Sequence, residues 1–348
     1  MIETFFKNIK GLGVKMVLLL TFCLIFVQII KSQPSIQPDS TLKKKQTEFS
    51  TWKYGMFLHF NMATYIDKEW ATGYEDPLSF NPDKLDCNQW IDVVKEAGMK
   101  YAVLTVKHTG GWCLWDSKYT THDITAFKKY KNGKGDIVRE FVDACREKNI
   151  KVGLYYCLPG DYSHSFGNSL ALGLKDLHGL PPEAAGDFEG FIEKQLTELL
   201  TNYGPIDLVW FDQYANKYAG KYWLRLKALV NKLQPNCIVL ANNADNYTDS
   251  DVIGYEYPYR KQADPTNAVP PDGNKNISEL CDCIDADGIW FWHTGKVKLQ
   301  DAYQIADMLK LCNSRSTNLL LDVPPDRDGL IEDFYIKRLM EVKNIVKH

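Results

Sequence analysis

Leu200-Thr-Asn-Tyr-Gly-Pro-Ile-Asp-Leu-Val-Trp-Phe-Asp212 leaves a helix and enters a strand that stops on a carboxylate. On its N-terminal side, Phe188, Phe191, Ile192, Leu196, Leu199 and Leu200 make one apolar stripe at helical spacing, which predicts a helix over Asp187–Tyr203. Asp207-Leu-Val-Trp-Phe211 is a short apolar run and predicts a buried strand. Side chains alternate along a strand, so Leu208, Trp210 and Asp212 share one face. Helix, buried strand and terminal polar residue form a unit that recurs in both directions.

Toward the N-terminus, strands are predicted over Tyr54–His59, Tyr101–Val106 and Val152–Tyr156, separated by helices over Asp86–Ala97 and Asp136–Lys148. Toward the C-terminus, strands are predicted over Cys237–Ala241, Val252–Tyr255, Ile289–Trp292 and Leu319–Val323. Helices fall over Trp223–Leu233, Gln300–Asn313 and Ile331–Val346, and residues 260–278, rich in Pro, Asp and Asn, read as a long loop. Strands alternating with helices imply a parallel sheet. Eight of them imply closure, so the fold class is α/β, a (β/α)8-type (TIM-like) barrel.

Composition narrows the class. The 348 residues, 45% of them hydrophobic, suffice for one large core. A net charge of −3 without a basic stripe argues against nucleic acid as a partner. Nine Trp and nineteen Tyr suit a sugar site, where aromatic faces pack against C–H groups, although an aromatic core explains the same numbers. Lys7, Lys10 and Lys15 precede an apolar run from Met16 to Ile30, the pattern of a secretory signal cleaved near Ser32; an uncleaved anchor is the alternative. An oxidising compartment permits disulfides among Cys87, Cys113, Cys145, Cys157, Cys237, Cys281, Cys283 and Cys312, but spacing names no pair. Cys281-x-Cys283 has no matching second pair for zinc. Asn246-Tyr-Thr248 and Asn276-Ile-Ser278 are glycosylation sequons.

In a barrel enzyme the catalytic groups sit at the C-terminal ends of the strands. Here those ends carry His59, Lys107-His108, Tyr155-Tyr156, Asp212, Glu256, and the Trp290, Trp292 and His293 group. One buried polar residue is ordinarily a satisfied core group. Polar residues at the same end of so many strands are poorly explained by packing. Asp212 and Glu256 form a pair of carboxylates, and glycoside hydrolysis needs one to attack or activate water and one to protonate the leaving oxygen. Adjacent strands can hold two carboxylates about 5–5.5 Å apart, the spacing for retention of configuration. The residues alone read as a sugar hydrolase for an unspecified sugar.

Over residues 50–330 the sequence resembles glycoside hydrolase family 29, the α-L-fucosidases. The resemblance rests on Trp52-Lys-Tyr-Gly-Met-Phe-Leu-His59, Lys107-His-Thr-Gly-Gly-Trp-Cys-Leu-Trp-Asp-Ser-Lys-Tyr119, Gly153-Leu-Tyr-Tyr156, the Leu200–Asp212 stretch, Trp290-Phe-Trp-His293 and Ser314-Arg-Ser-Thr-Asn-Leu-Leu-Leu-Asp-Val-Pro-Pro-Asp-Arg-Asp-Gly329. It implies that Asp212 is the nucleophile of a double displacement. It implies that His59, Glu69, Trp70 and His108 grip fucose hydroxyls, and that Tyr156, or its neighbour Tyr155, lies near the nucleophile. Trp290 or Trp292 would wall the sugar ring or its methyl group. Glu256 would be the acid/base, with Glu279 as the alternative and Asp251 behind it. Thr109 stands where the family usually has a second His. No metal or organic cofactor is implied, and the partner is a fucosylated glycan.

The domain reading is a signal peptide over 1–32, a polar linker over 33–48 and a catalytic barrel over 49–348, without a C-terminal β-sandwich. The signal implies a secreted, periplasmic or lysosomal protein with no stable membrane anchor after cleavage.

Overall fold

The computed structural model describes residues 40–73, 75–158, 187–215 and 220–347. The segment read as a signal lies outside them. The chain divides into two units, residues 1–43 and Lys44–His348. Among the described residues no helix is long and apolar enough to cross a membrane.

Eight strands make the sheet: β1 (Tyr54–Leu58), β2 (Tyr101–Lys107), β3 (Lys151–Cys157), β4 (Leu208–Asp212), β5 (Ile238–Ala241), β6 (Ile253–Glu256), β7 (Ser278–Cys283) and β8 (Thr317–Asp322). They pair in parallel in the order β5-β4-β3-β2-β1-β8-β7-β6, a nearly closed (β/α)8 barrel. Helix α1 (Ser40–Phe49) precedes β1. Between the strands lie α2 (Cys87–Glu96), α3 (Ile137–Glu147), α4 (Phe188–Asn202), α5 (Trp223–Leu233), α6 (Tyr257–Ala263) and α7 (Ala302–Ser314), and α8 (Asp333–Lys347) follows β8. An aspartate starts four of these helices. Asp86, Asp136, Asp187 and Asp301 each accept a first-turn backbone N–H, which satisfies an orphan donor and sets a negative charge at the positive end of the helix.

Alternation along each strand separates two cores. Outward residues such as Met56, Leu58, Leu104, Leu154, Val209 and Val239 meet the helices. Inward residues Phe57, Tyr101, Val103, Tyr155, Trp210, Leu240 and Leu320 fill the barrel. Gly55 makes the lower layer possible: a Cβ there would stand 2.4 Å from the Tyr101 ring. Tyr101 therefore crosses the interior and donates to Glu279 at 2.7 Å. Phe49 of α1 packs on Trp52 (4.9 Å) and Tyr101 (6.1 Å) as part of the same interior core.

The seam between β5 and β6 is closed largely by side chains. Ser250 Oγ accepts from the Ala241 N–H at 3.0 Å. Asp251 Oδ2 accepts from the Val239 N–H at 3.0 Å, while the Asp251 N–H donates to the Val239 carbonyl at 2.7 Å. Buried Lys45 reaches Asp251 Oδ2 at 2.5 Å, and Lys227 reaches Oδ1 at 3.2 Å. Asp251, one of the acid/base alternatives, is thus a structural plug between two edge strands.

Three readings are corrected. The seventh strand is Ser278–Cys283, not Ile289–Trp292. The aromatic run looked like a buried strand because two of its rings are indeed buried, but it belongs to the loop beyond β7. The real strand hid behind polar letters: Ser278 pairs its hydroxyl with Thr317, Glu279 is satisfied inside the barrel, and Asp282 accepts from Gln300. The linker reading of 33–48 gives way from Ser40 onward to α1, whose Lys45 supplies the seam contact. The 260–278 loop contains the end of α6 and a 3-10 turn at Pro265–Asn267.

Asp251→Ala leaves two ammonium groups buried without their counter-charge. It is expected to cost about 3–5 kcal/mol, read as a lower urea midpoint. The fraction that remains folded should keep its barrel mouth, because the Asp251 carboxylate is engaged with Lys45, Lys227 and the Val239 N–H.

Candidate active site

Strand parity decides which polar residues face the mouth. On β4, Leu208 and Trp210 are interior residues, so Asp212 points inward. On β3, Tyr155 pairs in register with Trp210 and faces the same way. Tyr156 faces outward, where its hydroxyl donates to Gln195 at 2.7 Å and accepts from Lys107 at 3.1 Å. Of the Tyr155/Tyr156 alternatives, the structure places Tyr155 at the mouth. A register shift between Thr105 and Lys107 breaks the alternation on β2, sending Lys107 outward beside Tyr156 and returning His108 to the mouth.

Asp212 is held from three sides. The Tyr155 hydroxyl donates to Oδ2 at 3.0 Å. Asn242 Nδ2 and the Gln213 N–H donate to Oδ1 at 3.0 and 2.8 Å. Gln213 has φ of +55°, a left-handed conformation rare for a side-chain-bearing residue, and this turns its amide back onto the carboxylate. Both Asp212 oxygens thus accept at least one hydrogen bond.

Glu256 ends β6 beside it. Asn242 Nδ2 donates to Glu256 Oε2 at 2.8 Å, and Asn243 Nδ2 reaches the same oxygen at 2.9 Å. Burial, reinforced by the negative charge of Asp212, raises the Glu256 carboxyl to about 8, against the pull of the two asparagine donors. One amide nitrogen therefore touches both carboxylates. Their nearest oxygens lie no farther apart than the 3.0 and 2.8 Å contacts laid end to end. Glu279 sits deeper. Its oxygens accept from Tyr101 and from Trp210 Nε1 at 2.7 and 2.8 Å, which binds it into the packed interior.

Aromatic rings and imidazoles line the rest. The His59 ring lies 4.4 Å from Phe57, 5.0 Å from Trp290 and 5.1 Å from Phe291. His59 Nδ1 pairs with Asp322 at 2.7 Å, so Nε2 is the nitrogen left for a ligand. Burial lowers the imidazole to about 3 and raises the Asp322 carboxyl well above its usual range. His108 stacks on Tyr155 at 5.4 Å and meets Phe291 edge-on at 4.8 Å. The hydroxyl of Thr109 lies 3.1 Å from His108 Nδ1, so the residue in the second-His position orients the first. Glu69 does not reach in alone: it accepts the backbone N–H groups of Trp290 and Phe291 at 3.0 and 3.4 Å and so anchors the aromatic wall. Burial raises its carboxyl to about 7. Trp292 turns outward, its indole donating to Glu332 at 2.7 Å under the Arg327 guanidinium. Trp70 is 49% exposed and belongs to neither core. Among the described residues no cluster of His, Cys, Asp and Glu has the geometry to hold a metal, and the eight described cysteines are all buried thiols.

The family model described as Alpha-L-fucosidase matches residues 24–348. The chain belongs to the alpha-L-fucosidase family. Among its relatives, Alpha-L-fucosidase 1 of Arabidopsis thaliana is 30% identical over 85% of this chain and 58% of its own length. Plasma alpha-L-fucosidase of Homo sapiens is 27% identical over 79% of this chain and 56% of its own. The chain thus spans a little more than half the length of these relatives. Alpha-L-fucosidase isoenzyme 1 from Paenibacillus thiaminolyticus superposes with a TM-score of 0.70 at 25% identity, over 88% of this chain and 76% of that one. A glycoside hydrolase 29 family member from a rumen bacterium gives a TM-score of 0.67 at 28% identity, over 87% of this chain and 56% of that one.

Within this fucosidase-family site, Phe291, Asn242, Asn243 and Asp322 escaped the sequence reading. Asp322 ends β8 and was open to the strand-end argument. The asparagines follow β5 directly, and only their amide contacts single them out.

Tyr155→Phe removes one donor from Asp212 and is expected to lower turnover of an aryl α-L-fucoside by about tenfold, the worth of one hydrogen bond to a charged group. Tyr156→Phe should leave turnover intact and cost about 1–3 kcal/mol in urea unfolding, because it strands buried partners on the outer face.

Proposed function

We propose that the chain is a retaining α-L-fucosidase acting on fucosylated oligosaccharides or glycoconjugates. The single observation that carries this reading is the shared Asn242 amide. It keeps the two carboxylates within reach of the roughly 5–5.5 Å spacing of retaining enzymes, and short of the roughly 6.5–9.5 Å needed to admit an inverting water. In the first step an Asp212 oxygen bonds to the anomeric carbon as the glycosidic C–O bond breaks. The electron pair stays on the leaving oxygen, which takes the proton of Glu256. In the second step Glu256 accepts a proton from water, whose oxygen bonds to the anomeric carbon as the fucosyl–Asp212 bond breaks and its electrons return to Asp212. Neutral His59 and His108 offer ring nitrogens to sugar hydroxyls, and Trp290 with Phe291 forms an apolar wall suited to a C6 methyl.

Asp212→Gly is expected to reduce fucose release from an aryl α-L-fucoside by about 10⁴-fold or more, with azide partly restoring turnover as a fucosyl azide. Near-normal release would sink the assignment, and binding of fucose without any turnover in the unsubstituted chain would favour a fucose-binding protein. The pH dependence follows from Glu256. An acid with a value raised to about 8 is protonated below it and spent above it, so kcat/KM should fall as pH rises through about 8. A basic limb near the ordinary carboxyl range would exclude Glu256 as the acid.

A further inference from the structure

Glu256 is gripped in an unusual way for an acid. Both asparagine amides donate to the same oxygen, Oε2, at 2.8 and 2.9 Å. Neither amide is free to turn over. Asn243 Oδ1 accepts from Arg260 Nε at 2.7 Å and from the Glu256 backbone N–H at 3.2 Å, so its Nδ2 must face the carboxylate. Arg260 is itself fixed by the Gly254 carbonyl at 3.0 Å and by the Tyr255 ring at 4.6 Å. Asn242 Nδ2 serves Asp212 and Glu256 together, and a flipped amide would set its oxygen against two carboxylates. The cost of this orientation is visible: Asn242 Oδ1 is buried without a partner.

The backbone is shaped to bring this pair in. Asn243 adopts φ of +59°, a conformation that asparagine tolerates better than most residues. The turn rests on β6 at Gly254, where a Cβ would stand 3.0 Å from the Asn243 nitrogen and 3.2 Å from the Ala241 carbonyl. A side chain at 254 would push Asn243 away from Glu256.

We infer that Asn242 and Asn243 are positioning residues that occupy both lone-pair directions of Glu256 Oε2 and so assign the transferable proton to Oε1. A carboxyl oxygen that already accepts two N–H donors is the carbonyl oxygen of the acid, and the hydroxyl must be the other one. The proton delivered to the leaving oxygen in the first step therefore departs from Oε1, and the proton taken from water in the second step returns there. The inference rests on the retaining-fucosidase reading above and adds to it the atom that acts and the residues that select it.

Leaving-group dependence tests this on the full chain. A dinitrophenyl fucoside leaves without protonation, whereas a phenyl fucoside needs the acid. Asn243→Asp keeps the Oδ1 contacts and the left-handed turn but replaces the donor with an acceptor, which draws the proton onto Oε2. It is expected to lower kcat/KM for the phenyl substrate by about tenfold or more, out of the roughly 10²–10⁴-fold that acid catalysis supplies, and for the dinitrophenyl substrate by less than about threefold. The basic limb should move to higher pH, since loss of a donor and gain of a negative charge both favour protonated Glu256. The titratable or charged groups around Glu256 are Asp212, Tyr155, Tyr259, Cys281 and Arg260, and this variant leaves all five in place. Asn243→Gly, which suits the same φ and removes the side chain, should show the same selectivity and limb shift. Equal losses on both substrates, or an unmoved basic limb, would overturn the inference and leave the fucosidase reading standing. Release of fucose from neither substrate by the unsubstituted chain would overturn both.

Discussion

At the β5–β6 edge a buried aspartate and a serine do the work of a missing ladder. Asp251 bonds the Val239 backbone through its own N–H and its carboxylate, and Lys45 and Lys227 neutralise it. A charge buried this way is tolerable only because every oxygen is paired. The mouth depends on that closure. Strand β4, which carries Asp212, pairs with β5, and β6 carries Glu256, so the seam sets the spacing between the two carboxylates. The Asn242–Asn243 turn leaves β5 just above the seam and spans the remaining gap.

Above the seam, polarity is rationed. Phe57, Tyr155, Trp210, Trp290 and Phe291 surround His59 and His108 with rings, leaving little water to solvate charge. That surrounding separates the two carboxylates chemically. Asp212 gathers three donors, whereas Glu256 has burial and a negative neighbour against it. Two carboxylates a few ångströms apart therefore stand in different surroundings, and the raised one is Glu256. The loop from Asp67 to Glu69 completes the wall. Asp67 accepts from Thr294 and Glu69 from Trp290 and Phe291, so two loops are tied by backbone donors rather than by packing alone.

Much of this was legible in the one-dimensional pattern, and the misreadings share a cause. The helix–strand alternation points to the barrel, and the polar strand ends single out His59, His108, Asp212 and Glu256, which the structure gathers at one mouth. Tyr156 stood ahead of Tyr155 on the resemblance alone, and it is the pairing of β3 with β4 that puts Tyr155 beside Trp210 on the interior face. Ile289–Trp292 passed for a strand because apolar runs mark burial, not pairing. Ser278–Cys283 was missed because its polar side chains are satisfied by distant partners, Tyr101, Gln300 and Thr317.

The sequence by itself determined what local physics controls: seven of the eight strands, six of the eight helices, that the strands are parallel, and most of the residues that end them. It could do so because apolar periodicity and capping aspartates act within a few neighbours. Only the tertiary structure decided that Asp251 is a plug, that Glu279 is a core acceptor and that Asn242 joins the two carboxylates. Those roles depend on contacts between residues far apart in the chain, such as Lys45 with Asp251 and Tyr101 with Glu279. A carboxylate reads the same in a sequence whether it faces a lysine, an indole or a substrate. Its chemistry is set by what the closed barrel brings against it.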